Sequence, residues 1–269
     1  MKMDTFMTPL ADAAFGGAGQ LCRHRTPAVF RGLAANWPAV KQWSFAGLAA
    51  RAPDMPVRLV SGDRERGSTK FVESTLRFYL ESLQEGGDRE NQSLYLKEFD
   101  LLDAMPRLRL DLMHSEIFPP RSIRSLQSWI GPAGARTGLH HDFLDNLAVQ
   151  VVGRKRFHLV RPGTVERLGA VAAKYDSWAR LSRLGALELA SSGAPQGDFL
   201  VVDLEPGDVL YIPARWWHEV LNLTPCILFG GFYGPPAQVL ARWAWVRLRD
   251  LLHHAGWLGL NDCTCHPGN

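Results

Sequence analysis

Thr137-Gly138-Leu139-His140-His141-Asp142, read together with Gly207-Asp208-Val209-Leu210-Tyr211-Ile212-Pro213-Ala214-Arg215-Trp216-Trp217-His218, decides the fold. His140 and Asp142 form an H-x-D pair. In an extended chain residues i and i+2 share a face, so the pair aims two ligating side chains at one point. The continuation supports a strand, because Leu147, Val149 and Val151 alternate with Asn146, Ala148 and Gln150. The apolar set is expected to face packed core, and the polar or small set to share the His140 and Asp142 face. One strand cannot wrap round a metal, so a third ligand must come from another. His218 opens a second plausible strand, Glu219-Val220-Leu221-Asn222-Leu223. Two histidines and one carboxylate on one face of a metal, with the other face open, is the ligand set of non-haem Fe(II) oxygenases. Ligand type alone leaves Mn(II) and Zn(II) open as well, and an isolated H-x-D also reads as a buried hydrogen-bonded pair.

The stretch from Trp129 to Asp142 resembles the first ligand strand of the JmjC/cupin-like 2-oxoglutarate-dependent oxygenases. The run from Asp145 to Phe157 and the Gly-Asp-Val-Leu-Tyr-Ile-Pro run ending in Trp216-Trp217-His218 are similar too. By pattern the chain is nearest the hypoxia-inducible-factor asparaginyl hydroxylase group. Pro27–Gly32, Asn36–Ala39 and Ser93–Lys97 also fall where that family has similar segments, so the resemblance spans roughly residues 25 to 235.

The resemblance implies a mainly β fold with flanking helices: a double-stranded β-helix, or jelly-roll/cupin-like barrel, with a C-terminal helical segment. It implies His140, Asp142 and His218 as Fe(II) ligands. Lys155, with the hydroxyls of Tyr95 and Thr137, would meet the distal carboxylate of 2-oxoglutarate, and Asn146 would lie near that cosubstrate. Fe(II), 2-oxoglutarate and O2 together imply a dioxygenase that hydroxylates an unactivated C–H bond, first of all in an amino-acid side chain of a protein or peptide. A free amino acid, a natural-product intermediate or a tRNA base are alternative substrates. A non-catalytic binding module and a Zn(II) or Mn(II) cupin are alternative functions. The chain departs from the family in Ile227-Leu228-Phe229-Gly230-Gly231-Phe232-Tyr233, where Gly231 falls at about the position of a family asparagine.

Each carried-over residue also has a plainer reading. Lys155 sits in Arg154-Lys155-Arg156, and a basic run at a turn is usually a solvated face. Tyr95 reads equally as core, Thr137 as an ordinary strand residue, and Asn146 as a turn or cap residue. Trp216 and Trp217 read as packing that fixes the approach of His218.

Composition is that of an ordinary soluble protein. The chain has 269 residues, 46% hydrophobic and 21% charged, with formal net charge +3. That length suffices for one domain, 1–269, with a sizeable core. A pI near 8.7 is too mild to signal nucleic-acid binding. The opening residues carry no apolar signal core, and no uncharged apolar run reaches the ~18–20 residues of a membrane span, so a cytoplasmic location is expected. Cys22, Cys226, Cys263 and Cys265 form no disulfide framework. Cys226 reads as a buried small hydrophobe, and Cys263-Thr264-Cys265-His266 as a frayed tail rather than a metal site.

The remaining organisation is coarse. Residues 1 to 24 read as a lead-in with a short helix, Val57–Val60 as a strand and Arg64–Thr69 as a charged turn. Ser74–Gln84 reads as a helix capped by Ser74 and ended by Gly86-Gly87. Roughly residues 163 to 198, with Tyr175 and Trp178, form an insert placed either to cover the barrel mouth or to wander over the surface. After Pro235-Pro236, Val239, Leu240, Trp243, Val246, Leu251 and Leu252 recur near helical spacing. This 235–260 segment packs on its own barrel, forms a homodimer element as the resemblance implies, or touches a membrane surface.

Overall fold

The computed structural model describes residues 6–21, 24–61, 70–84, 94–113, 116–118, 123–175 and 179–259. The Arg64–Thr69 turn, Gly86-Gly87, Ser93, Trp178, Cys22 and the Cys263/Cys265/His266 tail lie outside the described residues. Fourteen strands occur among the described residues: β1 Thr8–Pro9, β2 Ala28–Phe30, β3 Pro56–Ser61, β4 Lys70–Thr75, β5 Leu96–Phe99, β6 Ile123–Gly131 and β7 Arg136–His141, then β8 Asp145–Val152, β9 Lys155–Val160, β10 Arg180–Leu181, β11 Phe199–Leu204, β12 Val209–Ile212, β13 Trp217–Asn222 and β14 Cys226–Tyr233. The helices are α1 Ala18–Leu21, α2 Pro38–Gln42, α3 Phe45–Ala49, α4 Leu76–Ser82, α5 Leu101–Ala104, α6 Thr164–Arg167, α7 Ala186–Ala190 and α8 Pro236–His254.

Two six-stranded sheets make the body. Their orders are β1-β11-β9-β13-β7-β10 and β2-β12-β8-β14-β6-β5, with β3–β4 as a separate hairpin. From β6 to β9 and from β11 to β14 the chain moves back and forth between the two sheets. That is the double-stranded β-helix that the family resemblance implies. The named pairings are antiparallel except β1 with β11, which is parallel, Thr8 facing Leu200 and Pro9 facing Val201.

Strand alternation sorts the side chains into three clusters. Leu147, Val149 and Val151 of β8 face outward onto Trp37, Leu48 and Tyr79 of the N-terminal helical layer. Ala148, Phe157, Leu159, Leu210, Trp216 and Leu228 fill the interior between the sheets. Leu139, Val160, Phe199 and Trp217 face the other way, under Val165, Ala186 and Leu189 of the insert. The alternation in β8 therefore runs as its sequence suggested, with Asn146 and Ala148 turned inward.

Two tight places fix the strand connections. Gly153 turns β8 into β9 at φ +74°, and a Cβ there would overlap the carbonyl of Pro225. Gly153→Ala combines left-handed strain with that overlap, so it is expected to cost about 2 kcal/mol or more, read from the urea midpoint. At α4 the expected cap is displaced by one residue. Ser74 lies inside β4, paired with Val57, and it is Thr75, the last residue of that strand, whose hydroxyl accepts the Phe78 N–H.

The insert is not a loose excursion. Its β10 pairs with β7, Leu181 opposite His140 and Arg180 opposite His141. The expected C-terminal helix is α8, and it is two-faced. Val239, Arg242 and Val246 line the barrel mouth, while Leu240, Trp243, Trp245, Leu248 and Leu251 are exposed. No helix among the described residues is long and apolar enough to cross a membrane.

Candidate metal centre

His140 comes from β7, Asp142 lies just past its end, and His218 comes from the neighbouring β13, directly opposite His140 in register. One ligand atom from each of the three can be chosen so that all lie within 4.8 Å of one another. His218 Nε2 is 3.5 Å from Asp142 Oδ2, and the two imidazoles are 4.2 Å apart between centroids. Period-2 geometry selects which histidine of the His140-His141 pair takes part. His140 turns inward, whereas His141 turns outward, edge-on to Trp217 at 4.6 Å.

The surroundings set the ring tautomers. His140 Nδ1 is 2.8 Å from the Gly138 carbonyl, and His218 Nδ1 is 3.2 Å from that of Trp216. A carbonyl only accepts, so each Nδ1 carries the proton and each Nε2 keeps its lone pair for a metal. Burial, reinforced by His140, lowers the His218 pKa to about 4 against the pull of Asp142, so the ring is a neutral ligand at pH 7. The Asp142 backbone is tied down as well. Arg215, at φ 71° in the β12–β13 turn, donates its N–H to the Asp142 carbonyl at 2.9 Å. Behind His218, Glu219 points outward, accepting the Ala186 N–H at 2.9 Å and meeting Arg136 Nη2 at 2.9 Å. Burial pushes its pKa up, but the hydrogen bond from His158 and the charge of Arg136 outweigh this and hold it at about 2.

The triad opens into a cavity of about 540 Å³ between the sheets. All four residues expected around a cosubstrate line it: Lys155, Tyr95, Thr137 and Asn146. Lys155 is 1% exposed and donates to the Tyr95 hydroxyl at 3.0 Å. Its basic neighbours behave as a solvated turn should. Arg154 pairs with Glu205 and Arg156 with Asp203, both toward solvent, while the alternation turns Lys155 inward. Burial lowers the Lys155 pKa to about 8, and among the described residues no carboxylate pairs with it. Burial likewise holds the Tyr95 hydroxyl well above its usual range, so it is a neutral donor and acceptor. The buried Asn146 Oδ1 meets no donor among the described residues. A 180° turn of the amide would present a donor there instead.

A buried ammonium with no counter-ion is costly unless an anion joins it. Lys155, two hydroxyls and an orphaned amide end therefore fit a dicarboxylate whose far end reaches Lys155. The triad fits a divalent metal of the Fe(II), Mn(II) or Zn(II) kind.

Several residues that shape or line the cavity carried no usable sequence signal. Gly131 gives its space to the Tyr95 ring, with Tyr95 Cδ2 2.6 Å from where its Cβ would stand. Val239, Arg242 and Val246 come from α8, and Ala179 and Leu181 from the insert. Gly231 requires a correction. Leu228 and Phe232 face the cavity, so the inward position between them is Gly230, whose space the Trp129 ring takes. Gly231 faces the opposite way, against Phe118, where a Cβ would overlap the ring. Its lack of a side chain therefore bears on outer packing and not on the metal centre.

A double-stranded β-helix with a His-Asp-His triad that could hold one metal ion defines a cupin-type barrel. Residues 18–238 match the Cupin-like domain family, and the chain belongs to it. It is 31% identical over 206 residues to lysine-specific demethylase JMJ30 of Arabidopsis thaliana, covering 74% of this chain and 48% of that protein. It is 27% identical over 223 residues to human HSPB1-associated protein 1, covering 74% and 46%. With lysine-specific demethylase 8 of Xenopus tropicalis it shares 26% identity over 209 residues, covering 73% and 45%. The chain thus spans about half the length of these curated relatives. They carry the names of demethylases and an HSPB1-associated protein, not of the asparaginyl hydroxylase group, so the cupin-like membership stands and the narrower likeness does not follow from them.

Proposed function

We propose that this chain is an Fe(II)- and 2-oxoglutarate-dependent oxygenase that hydroxylates an unactivated C–H bond of an amino-acid side chain. The observation that carries this reading is Lys155: a fully buried ammonium that no carboxylate among the described residues pairs with, in a cavity whose lining includes the triad. A Zn(II) or Mn(II) cupin with isomerase or hydrolase chemistry has no use for that cation, and a non-catalytic barrel has no use for the triad.

A bound Fe(II) with 2-oxoglutarate would supply the O2-dependent oxidation of a C–H bond. The chain's own residues do the rest. The Nε2 atoms of His140 and His218 and the Asp142 carboxylate would hold the metal. Lys155, Tyr95 and Thr137 bind and orient the distal carboxylate by charge-assisted hydrogen bonds. Trp129, Phe157, Val220 and Leu228 line the same cavity and keep water from it.

The names of the relatives make demethylation of methyl-lysine a second reading, since it begins with the same hydroxylation. The exposed face of α8 is where a homodimer would form under this proposal. The test is an anaerobic titration of metal-free protein with Fe(II), then 2-oxoglutarate, recording the visible charge-transfer band of the chelate. A band that is weakened in Lys155→Ala is the expected result. No band from well-folded protein that binds another metal tightly would sink the oxygenase reading.

A further inference from the structure

α8 brings a charge into the cavity that neither the metal triad nor the cosubstrate end uses. Val239, Arg242 and Val246 fall three and four residues apart, on one face of the helix, and all three line the cavity. Arg242 is half-buried between the two valines, and burial lowers its pKa, although a guanidinium remains charged at any ordinary pH. Among the described residues no hydrogen bond or salt bridge engages it.

The acid that acts on Arg242 is Asp145, and its oxygens are already engaged. Oδ1 accepts the Ala214 N–H at 2.8 Å and Oδ2 the Tyr211 hydroxyl at 3.2 Å, which holds the β12–β13 turn. Arg215, exposed in that turn, adds a second positive charge toward Arg242. Elsewhere in the lining Lys97 lies over the Tyr95 ring, its Nζ 5.2 Å from the centroid. Asp142 belongs to the triad, and Lys155 to the cosubstrate end. Once those roles are assigned, Arg242 is a lining cation that no hydrogen bond or salt bridge among the described residues engages, and it stands on the α8 wall of the cavity.

We propose that Arg242 selects the substrate by pairing with its carboxylate, so that the molecule hydroxylated presents an anionic group to α8 rather than the ammonium of a methylated lysine. This rests on the oxygenase reading above. The planar guanidinium suits bidentate capture of a carboxylate, and a cationic side chain entering the same mouth meets like charge. The carboxylate can belong to an acidic residue of a peptide or to a free amino acid. The chemistry at Arg242 is the same for both.

The experiment uses the full chain loaded with Fe(II) and 2-oxoglutarate, as wild type, Arg242→Glu and Arg242→Lys. The charge-transfer band is recorded first in each, so that loading and substrate recognition are read separately. Succinate formation is then followed with three additions: Asp/Glu-rich peptides, peptides of equal length carrying lysine or trimethyl-lysine, and free dicarboxylic amino acids. Stimulation by the first or the third addition is expected, and which of the two stimulates identifies the source of the carboxylate. In Arg242→Glu the kcat/KM for that addition should fall roughly 10- to 100-fold, mainly through KM, with partial recovery in Arg242→Lys. Stimulation by the lysine peptides alone, by no addition, or by carboxylates equally in wild type and Arg242→Glu would overturn the proposal. Absence of the band in wild type would instead overturn the oxygenase reading, and the proposal with it.

Discussion

Lys155→Met is expected to abolish 2-oxoglutarate binding and, at the same time, to stabilise the unliganded protein. The two effects share one cause. The Lys155 pKa is lowered from 10.5 to about 8 by burial, so the unliganded fold works against its charge. Below about pH 8 the ammonium is charged in both folded and unfolded chains, and the fold bears the full penalty. Between about pH 8 and 10.5 the unfolded chain binds more protons than the folded one, so wild-type stability rises with pH across that window. The penalty at pH 7 is on the order of 3 kcal/mol. Methionine keeps the unbranched shape and removes the charge. It leaves the Tyr95 hydroxyl without its donor, which takes back about 1 kcal/mol. Thermal melts of wild type and variant from pH 7 to 10 test this, the difference between the two being the readout. The variant should melt higher at pH 7, and the gap should close as pH rises. A variant that melts lower at pH 7 and still shows the chelate band would contradict both halves. The same titration implies that unliganded wild type binds 2-oxoglutarate more weakly above about pH 8, as the binding-competent ammonium is depleted.

The second large effect concerns the triad. His140→Ala or Asp142→Ala is expected to remove turnover and to reduce Fe(II) affinity by more than the roughly 10–100-fold that outer-sphere changes cost a metal site. His140 and Asp142 come from the β7 side and His218 from β13, so a bound cation joins two strands distant in sequence and stabilises only the folded chain. At a free metal concentration 100 times Kd this is worth about 2.7 kcal/mol. The wild-type melting temperature should therefore rise on anaerobic addition of Fe(II) and fall back with a chelator, while His140→Ala should be indifferent to both. Succinate formation retained by a metal-stripped His140→Ala/His218→Ala double variant would refute the assignment.

The parts legible in the sequence were those governed by local periodicity. His140 and Asp142 share a face because they are two residues apart on extended chain, and the same rule set Leu147, Val149 and Val151 outward from the cavity. Lys155 was harder. Its flanking arginines do make a solvated turn, and only the inward phase of β9, which Arg154 and Arg156 bracket, buries the residue between them. Gly231 was misread by one position. Leu228 and Phe232 face the cavity and Ile227 and Phe229 the outer cluster, but both faces of β14 are apolar, so its composition does not mark which one is inward. Arg242 was not legible as a lining residue at all. The helical period of α8 is plain, but which face meets the barrel depends on docking across Pro235-Pro236, a long-range contact that amphipathicity alone cannot orient.

The pairing of Thr8 and Pro9 with β11 has a practical consequence for anyone trimming the chain. Residues 18–238 match the family, yet that segment leaves out parts of the described fold. Cutting at 18 removes the strand that covers β11 and also Met7, which is buried under the insert. The unsatisfied N–H and C=O row left behind is a template for other chains. Cutting at 238 strips Val239, Arg242 and Val246 from the cavity wall. A fragment drawn to the limits of similarity would be sticky along one edge and open at the mouth, and its insolubility or inactivity would reflect where it was cut.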